Sequence, residues 1–190
     1  MWRFQSRKYL RPGYPASFRQ MFQGLPENVT KIDAVYERPD DNYILFFAGK
    51  QIWVYDGIRF YAPQSLSSLG LPDFVEKLDS VFVWGKNGKT YLFYQNLYWR
   101  FNEATKSIDE GYPQDISRWN GVPRNLDAVM TSSFDGHNLT FYVLSIFIYY
   151  LLPAGKTYFF KGQEYWMYDD ASVSASAPRK INQFWTSNCN

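Results

Sequence analysis

Few residues in this sequence are of the kinds that do chemistry. The 190 residues hold one histidine, His137, and one cysteine, Cys189. A zinc peptidase built on His-Glu-x-x-His needs two histidines one helical turn apart beside a general-base glutamate, and one histidine cannot supply the pair. A Ser-His-Asp or Cys-His arrangement would fall back on the same residue, and haem ligation usually asks for histidine as well. The expectation is a chain with no catalytic residues, no cofactor pocket and no haem. What recurs instead is aspartate. Asp33, Asp79 and Asp127 stand in the runs Ile32-Asp33-Ala34-Val35, Leu78-Asp79-Ser80-Val81 and Leu126-Asp127-Ala128-Val129, 46 and 48 residues apart. Aspartate is depleted from strands, so its return at three strand starts needs a cause, and capping or bracing the strand is the plain one.

The elements around these aspartates repeat with them. Aromatics make up 21% of the chain, a share that favours strands, since such side chains fit a pleated, half-buried surface. After each aspartate run comes a pair of apolar segments ending in a tryptophan motif: Tyr43 to Phe47 with Ile52-Trp53-Val54-Tyr55, Tyr91 to Tyr94 with Tyr98-Trp99-Arg100-Phe101, and Tyr158-Phe159-Phe160 with Tyr165-Trp166-Met167-Tyr168. Ala48-Gly49-Lys50, Gln95-Asn96 and Lys161-Gly162-Gln163 lie between the partners, small and polar as hairpin turns require. Recurring once per unit at one position, the tryptophans read as core packing, and Arg100 beside Trp99 as a solvated residue on the opposite face. Prolines 15, 63, 113 and 178 close the strand sections. Apolar residues at helical spacing follow them: Phe18, Met21 and Phe22; Leu66 and Leu69; Ile116 and Trp119; Ile181, Phe184 and Trp185.

Three or four strands and a short helix per period of roughly 40–50 residues suit a propeller blade, and one blade cannot bury both its faces alone. Trp2-Arg3-Phe4 and Gly13-Tyr14-Pro15 align with the late part of a unit. The expected fold is all-β: a four-bladed β-propeller with a short helix after each blade and the first blade incomplete. Residues 1–26 are its end, and blades follow at 27–72, 73–123 and 124–190. No export-signal pattern follows Met1, and a net charge of +2 is too small to imply a nucleic-acid or anionic-membrane partner.

The Asp-Ala strand, the run Phe159-Phe160-Lys161-Gly162-Gln163-Glu164-Tyr165-Trp166 and the Gly111-Tyr112-Pro113 step before a short helix resemble hemopexin-like repeats. Asn87-Gly88-Lys89-Thr90-Tyr91 and Asp109-Glu110-Gly111-Tyr112-Pro113 resemble the matrix metalloproteinase version in particular. The resemblance implies a non-catalytic module of an extracellular zinc endopeptidase, secreted or anchored at the cell surface. Its implied partners are matrix proteins such as collagen, tissue inhibitors of metalloproteinases, and cell-surface proteins. Zinc would belong only to a catalytic domain outside this sequence. The resemblance also implies calcium in a central channel, held by main-chain carbonyls near Asp33, Asp79 and Asp127, as suits a hard cation with several oxygen ligands. It pairs Cys189 with a cysteine of the first blade, upstream of Met1. A vitronectin-like adhesive protein without a protease is the alternative. Asn28-Val29-Thr30 and Asn138-Leu139-Thr140 are N-glycosylation acceptors in form, Asn28 lying in an inter-blade loop.

One segment breaks the pattern. Trp99 to Trp166 is 67 residues against 46 from Trp53 to Trp99, and the excess lies in residues 137–155. From Leu139 to Leu152 this segment is almost wholly apolar, yet its 14 residues fall short of the roughly 20 that span a bilayer. It reads either as an apolar insertion or as a translated intron, and the flanks rejoining in register favour the second. Deleting residues 137–155 is expected to raise soluble yield and melting temperature, because it restores a short link from Gly136 to Lys156. An unchanged or lower melting temperature in thermal denaturation would show that the segment packs as a genuine element.

Overall fold

A computed structural model describes residues 4–6, 9–10, 12–14, 16–131 and 156–184. Met1 to Arg3, the segment 137–155 with His137 and Asn138, and Cys189 lie outside the described residues. The chain opens on a two-stranded antiparallel pair, β1 (Phe4–Ser6) with β2 (Tyr9–Leu10), followed by the four-residue helix α1 (Phe18–Met21).

Three larger antiparallel sheets follow, each a meander in chain order. The first runs β3 (Ala34–Glu37), β4 (Ile44–Ala48), β5 (Gln51–Tyr55) and β6 (Gln64–Ser65). The second runs β7 (Ser80–Trp84), β8 (Lys89–Tyr94), β9 (Leu97–Asn102) and β10 (Ser107–Ile108), with β11 (Gln114–Asp115) also on β9. The third runs β12 (Ala128–Thr131), β13 (Thr157–Lys161), β14 (Glu164–Asp169) and β15 (Ser174–Ala175), with β16 (Arg179–Lys180) on β14. The all-β fold is the expected one, and β7 packs between β3 and β12, so the first strands of the three sheets stand side by side.

The hairpins form where the turn residues allow. Ala48 pairs with Gln51, Tyr94 with Leu97 and Lys161 with Glu164, leaving two residues in each turn. The first of each two takes a positive φ: Gly49 at 55°, Gln95 at 54° and Gly162 at 58°. Two-residue hairpins favour such left-handed geometry because its twist matches that of the strands. Only two of the four helices expected after the prolines are α-helical, α1 and α2 (Ile181–Phe184); Leu66–Leu69 and Ile116–Arg118 are 3-10 turns. The tighter form suits pieces this short. Ser65 and Asp115 cap the two 3-10 turns through their side chains.

Each sheet is buried on both faces, and the alternation of strand side chains decides which neighbour each one meets. In the second sheet Val81, Leu92, Trp99 and Phe101 pack with Phe47, Ile52 and Val54 of the first. Phe82, Tyr91, Phe93 and Tyr98, one position away, pack with Val129, Phe159, Trp166 and Tyr168 of the third. Trp119 sits in the middle of the second junction, 4% exposed. Its ring lies 4.8 Å from Trp84, 5.4 Å from Phe159 and 5.0 Å from Tyr168, centroid to centroid. The three strand tryptophans hold one register, Trp53 opposite Phe46, Trp99 opposite Leu92 and Trp166 opposite Phe159, and all are buried.

The first junction adds a polar clamp. Glu103, 7% exposed, accepts hydrogen bonds at Oε1 from the Tyr36 hydroxyl (2.8 Å) and the Thr90 hydroxyl (2.7 Å). Lys106 reaches its Oε2 at 3.2 Å and Asp40 of the first sheet at 2.8 Å. Burial, then the Glu103 charge, pushes the Tyr36 phenol well above its ordinary range, so it stays protonated and donates.

Trp119→Ala empties the centre of the second junction and is expected to cost about 3–5 kcal/mol in urea unfolding. Phe74→Ala, at a side chain 55% exposed, should cost under about 1 kcal/mol by the same measurement. Equal losses at the two positions would show that the sheets do not depend on that junction.

Candidate functional site

The three recurring aspartates share one geometry. Each main-chain N–H donates to a carbonyl on the neighbouring strand: Asp33 to Phe47 (2.7 Å), Asp79 to Phe93 (2.8 Å) and Asp127 to Phe160 (2.9 Å). In the ladders those acceptor residues stand opposite Ala34, Ser80 and Ala128. Two residues of the inner strand thus face one of its partner, the geometry of a β-bulge.

The carboxylate then takes over the next ladder bond. The N–H of the first turn residue donates to an aspartate Oδ2: Gly49 to Asp33 (2.8 Å), Gln95 to Asp79 (2.5 Å) and Gly162 to Asp127 (2.6 Å). In a continuing ladder that bond would run to the main-chain carbonyl of Ile32, Leu78 or Leu126, since hydrogen-bonded pairs recur every second residue. Bracing, the plain cause named from sequence, is therefore what the side chains do, and each one locks a hairpin turn. Lysine two positions earlier completes two of the three, Lys31 to Asp33 at 3.1 Å and Lys77 to Asp79 at 2.9 Å. The hydrogen bond to Asp79 raises the Lys77 pKa. The sequence reading missed these lysines, although Lys31-Ile32-Asp33 and Lys77-Leu78-Asp79 repeat visibly.

The aspartates' own main-chain carbonyls are not the acceptors that the carboxylates replace. Among the described residues no hydrogen-bond donor reaches the main-chain carbonyl of Asp33, Asp79 or Asp127. Those carbonyls are the oxygens a hard cation could use, and they sit at matching places on three adjacent strands. Side chains offer no such set: among the described residues no group of three His, Cys, Asp or Glu comes together to hold a metal. An open cleft of about 360 Å³ runs between Asp79 and Asp127, bounded by Glu76, Lys77, Tyr94, Gln95, Asn125 and Leu126. Lys50, in the first sheet's turn, reaches across to this end of the second, 3.0 Å from both the Asp73 carbonyl and Glu76.

Other sequence candidates fall apart from this end or beyond view. Asn28 is exposed in the loop before β3. Asn138 and Cys189 lie outside the described residues. Arg100, read as solvated, in fact pairs with Asp109 at 2.5 Å and lies 5.1 Å over the Tyr112 ring, because β10 and the loop after it fold back along β9.

If the carboxylate acts as the acceptor that closes the turn, Asp79→Ala should cost about 1–2 kcal/mol in urea unfolding, while Asp79→Asn, which keeps an acceptor oxygen, should lose less. Equal losses would assign the effect to the Lys77 ion pair instead.

The model of the Hemopexin family matches residues 32–73, 78–124 and 148–187. Matrix metalloproteinase-2 of Drosophila melanogaster is 37% identical over 169 residues, 88% of this chain and 20% of that protein. Matrix metalloproteinase-25 of Homo sapiens is 41% identical over 133 residues, 70% of this chain and 24% of that protein. The chain thus spans a fifth to a quarter of the length of these relatives. Among solved structures, the hemopexin fold protein CP4 from cow pea superposes with a TM-score of 0.65 over 95% of this chain and 88% of its own, at 17% identity, a likeness of fold alone.

Proposed function

From the premise that this chain belongs to the hemopexin family, we propose that it is the non-catalytic binding module of an extracellular, zinc-dependent matrix metalloproteinase. The observation that carries the proposal is the 37% identity to a matrix metalloproteinase over 88% of this chain but a fifth of the relative. Peptidase chemistry and its zinc then belong to another part of the parent protein. The module's task is positional: it holds a matrix protein such as collagen, a tissue inhibitor of metalloproteinases or a cell-surface protein close to the tethered active site. Such tethering raises effective concentration without new chemistry.

Calcium fits the same reading. The carbonyls of Asp33, Asp79 and Asp127 would hold it, and it would supply charge neutralisation and cross-linking of adjacent strands rather than reactivity. Binding to the folded state alone would stabilise that state by mass action. Cys189 would form a disulfide in the oxidising compartment that this reading places the parent in.

Calcium in excess over its dissociation constant is expected to raise the melting temperature of the chain, with reversal by a chelator selective for calcium over magnesium. The purified chain should bind immobilised collagen or tissue inhibitor while cleaving neither gelatin nor casein. Cleavage abolished by a zinc chelator would overturn the reading of a non-catalytic module. Absence of any calcium-dependent shift would remove the channel ion from it.

A further inference from the structure

We propose that Asn28 is an N-glycan acceptor and that it is modified before the loop carrying it closes. The inference goes beyond the binding role above. Asn28 and Thr30 are both exposed, at the corner between α1 and β3. The Asn28 side chain makes no hydrogen bond among the described residues, so a sugar in place of one amide hydrogen would break nothing in the fold. A glycan is bulky and hydrated and needs such an outward-facing position.

Access to the acceptor motif is a different matter. Val29, between the two exposed residues, is 5% exposed and packs with Phe22, Leu25 and Trp53. Its N–H donates to the Pro26 carbonyl at 3.0 Å, closing a turn around Asn28. Arg19 on α1 then fastens the loop, donating to the carbonyls of Leu25 (3.2 Å), Pro26 (3.3 Å), Glu27 (2.8 Å) and Val29 (2.7 Å). An enzyme that must engage the Asn28 amide and the Thr30 hydroxyl together needs the backbone between them, and folding takes that backbone away. The folded chain can carry the glycan but cannot receive it.

The reaction needs a lipid-diphosphate-linked oligosaccharide as donor. Asn28 Nδ2 attacks the anomeric carbon and forms a C–N bond. The C–O bond to the diphosphate breaks, the lipid diphosphate leaves with the electron pair, and the amide gives up one proton to a base.

The test uses the full 190-residue chain behind a cleavable export signal in a eukaryotic cell. An Asn138→Gln background isolates Asn28, and signal cleavage reports entry into the lumen. Because the export signal is supplied, a negative result would leave the proposed binding role untouched. Peptide N-glycosidase in heavy-oxygen water converts a glycosylated asparagine to a labelled aspartate that mass spectrometry places. We expect the label on residue 28 and a one-glycan mobility shift, lost in Asn28→Gln and Thr30→Ala and kept in Thr30→Ser. Chain made in bacteria, offered the transferase and its lipid-linked donor, should be modified when unfolded and not when folded. Signal-cleaved chain with an unlabelled Asn28 would overturn the site, and equal modification of the folded chain would overturn the order of events.

Discussion

The two-residue period of a strand becomes, in this chain, a device for joining three sheets. Adjacent side chains on one strand point to opposite faces, and here both faces are covered. Leu92 therefore enters the junction with the first sheet while Tyr91 and Phe93 enter the junction with the third. Neither face of the middle sheet can be exposed without uncovering several aromatic rings at once. At about 25 cal/mol per Å² of apolar area, burial on this scale is what holds sheets whose longest strands are six residues. The hairpins, the bulges and the loops that carry exposed residues are all placed relative to those two junctions.

The inner-strand ends show how a local rule serves that arrangement. A bulge at Asp33, Asp79 and Asp127 puts an extra residue where the ladder ends, and the carboxylate replaces a main-chain acceptor for the turn N–H. A ladder that simply ran on would have turned its carbonyls toward the neighbouring strand. The carboxylates replace the carbonyls of Ile32, Leu78 and Leu126 as acceptors, and the carbonyls of Asp33, Asp79 and Asp127 accept no hydrogen bond among the described residues. A side chain usually taken for a ligand acts here as the acceptor that closes a turn.

Much of this was legible in the sequence, for physical reasons. Turn residues report on backbone geometry they alone tolerate, so Gly49 and Gly162 marked hairpins directly, and Gln95-Asn96 did so by position. Aromatic runs too short for helices and bounded by such turns could only be strands. The strict alternation that identifies a half-buried strand was absent because both faces are buried, which is why the repeat carried more information than the hydrophobic pattern did. What stayed hidden depends on residues far apart in the chain. Glu103 joins Tyr36, 67 residues away, and Trp119 meets Phe159, 40 away, with no local spacing to announce either contact. The bond between Arg100 and Asp109 was missed because it depends on how the chain folds back after β9, not on the strand that carries the arginine.

The three sheets are alike, but their junctions are not. The first is pinned by a buried glutamate that accepts from two hydroxyls and faces a lysine. The second carries a smaller polar contact, the Val129 N–H donating to the buried Ser80 hydroxyl at 2.8 Å, amid Trp119 and the rings around it. A polar clamp fixes relative position sharply, since its hydrogen bonds fail with small displacements. Aromatic packing tolerates sliding and is costly mainly when a ring is removed. The two junctions thus differ in their chemistry: a charged side chain between two hydroxyls at the first, a hydroxyl on main chain among aromatic rings at the second. Each is also bridged from a hairpin turn or strand end by a lysine, Lys50 to the Asp73 carbonyl and Glu76 at the first and Lys161 to the Arg124 carbonyl at the second. Surfaces held in this way suit binding by rigid complementarity, because a partner there does not have to order the groups it meets.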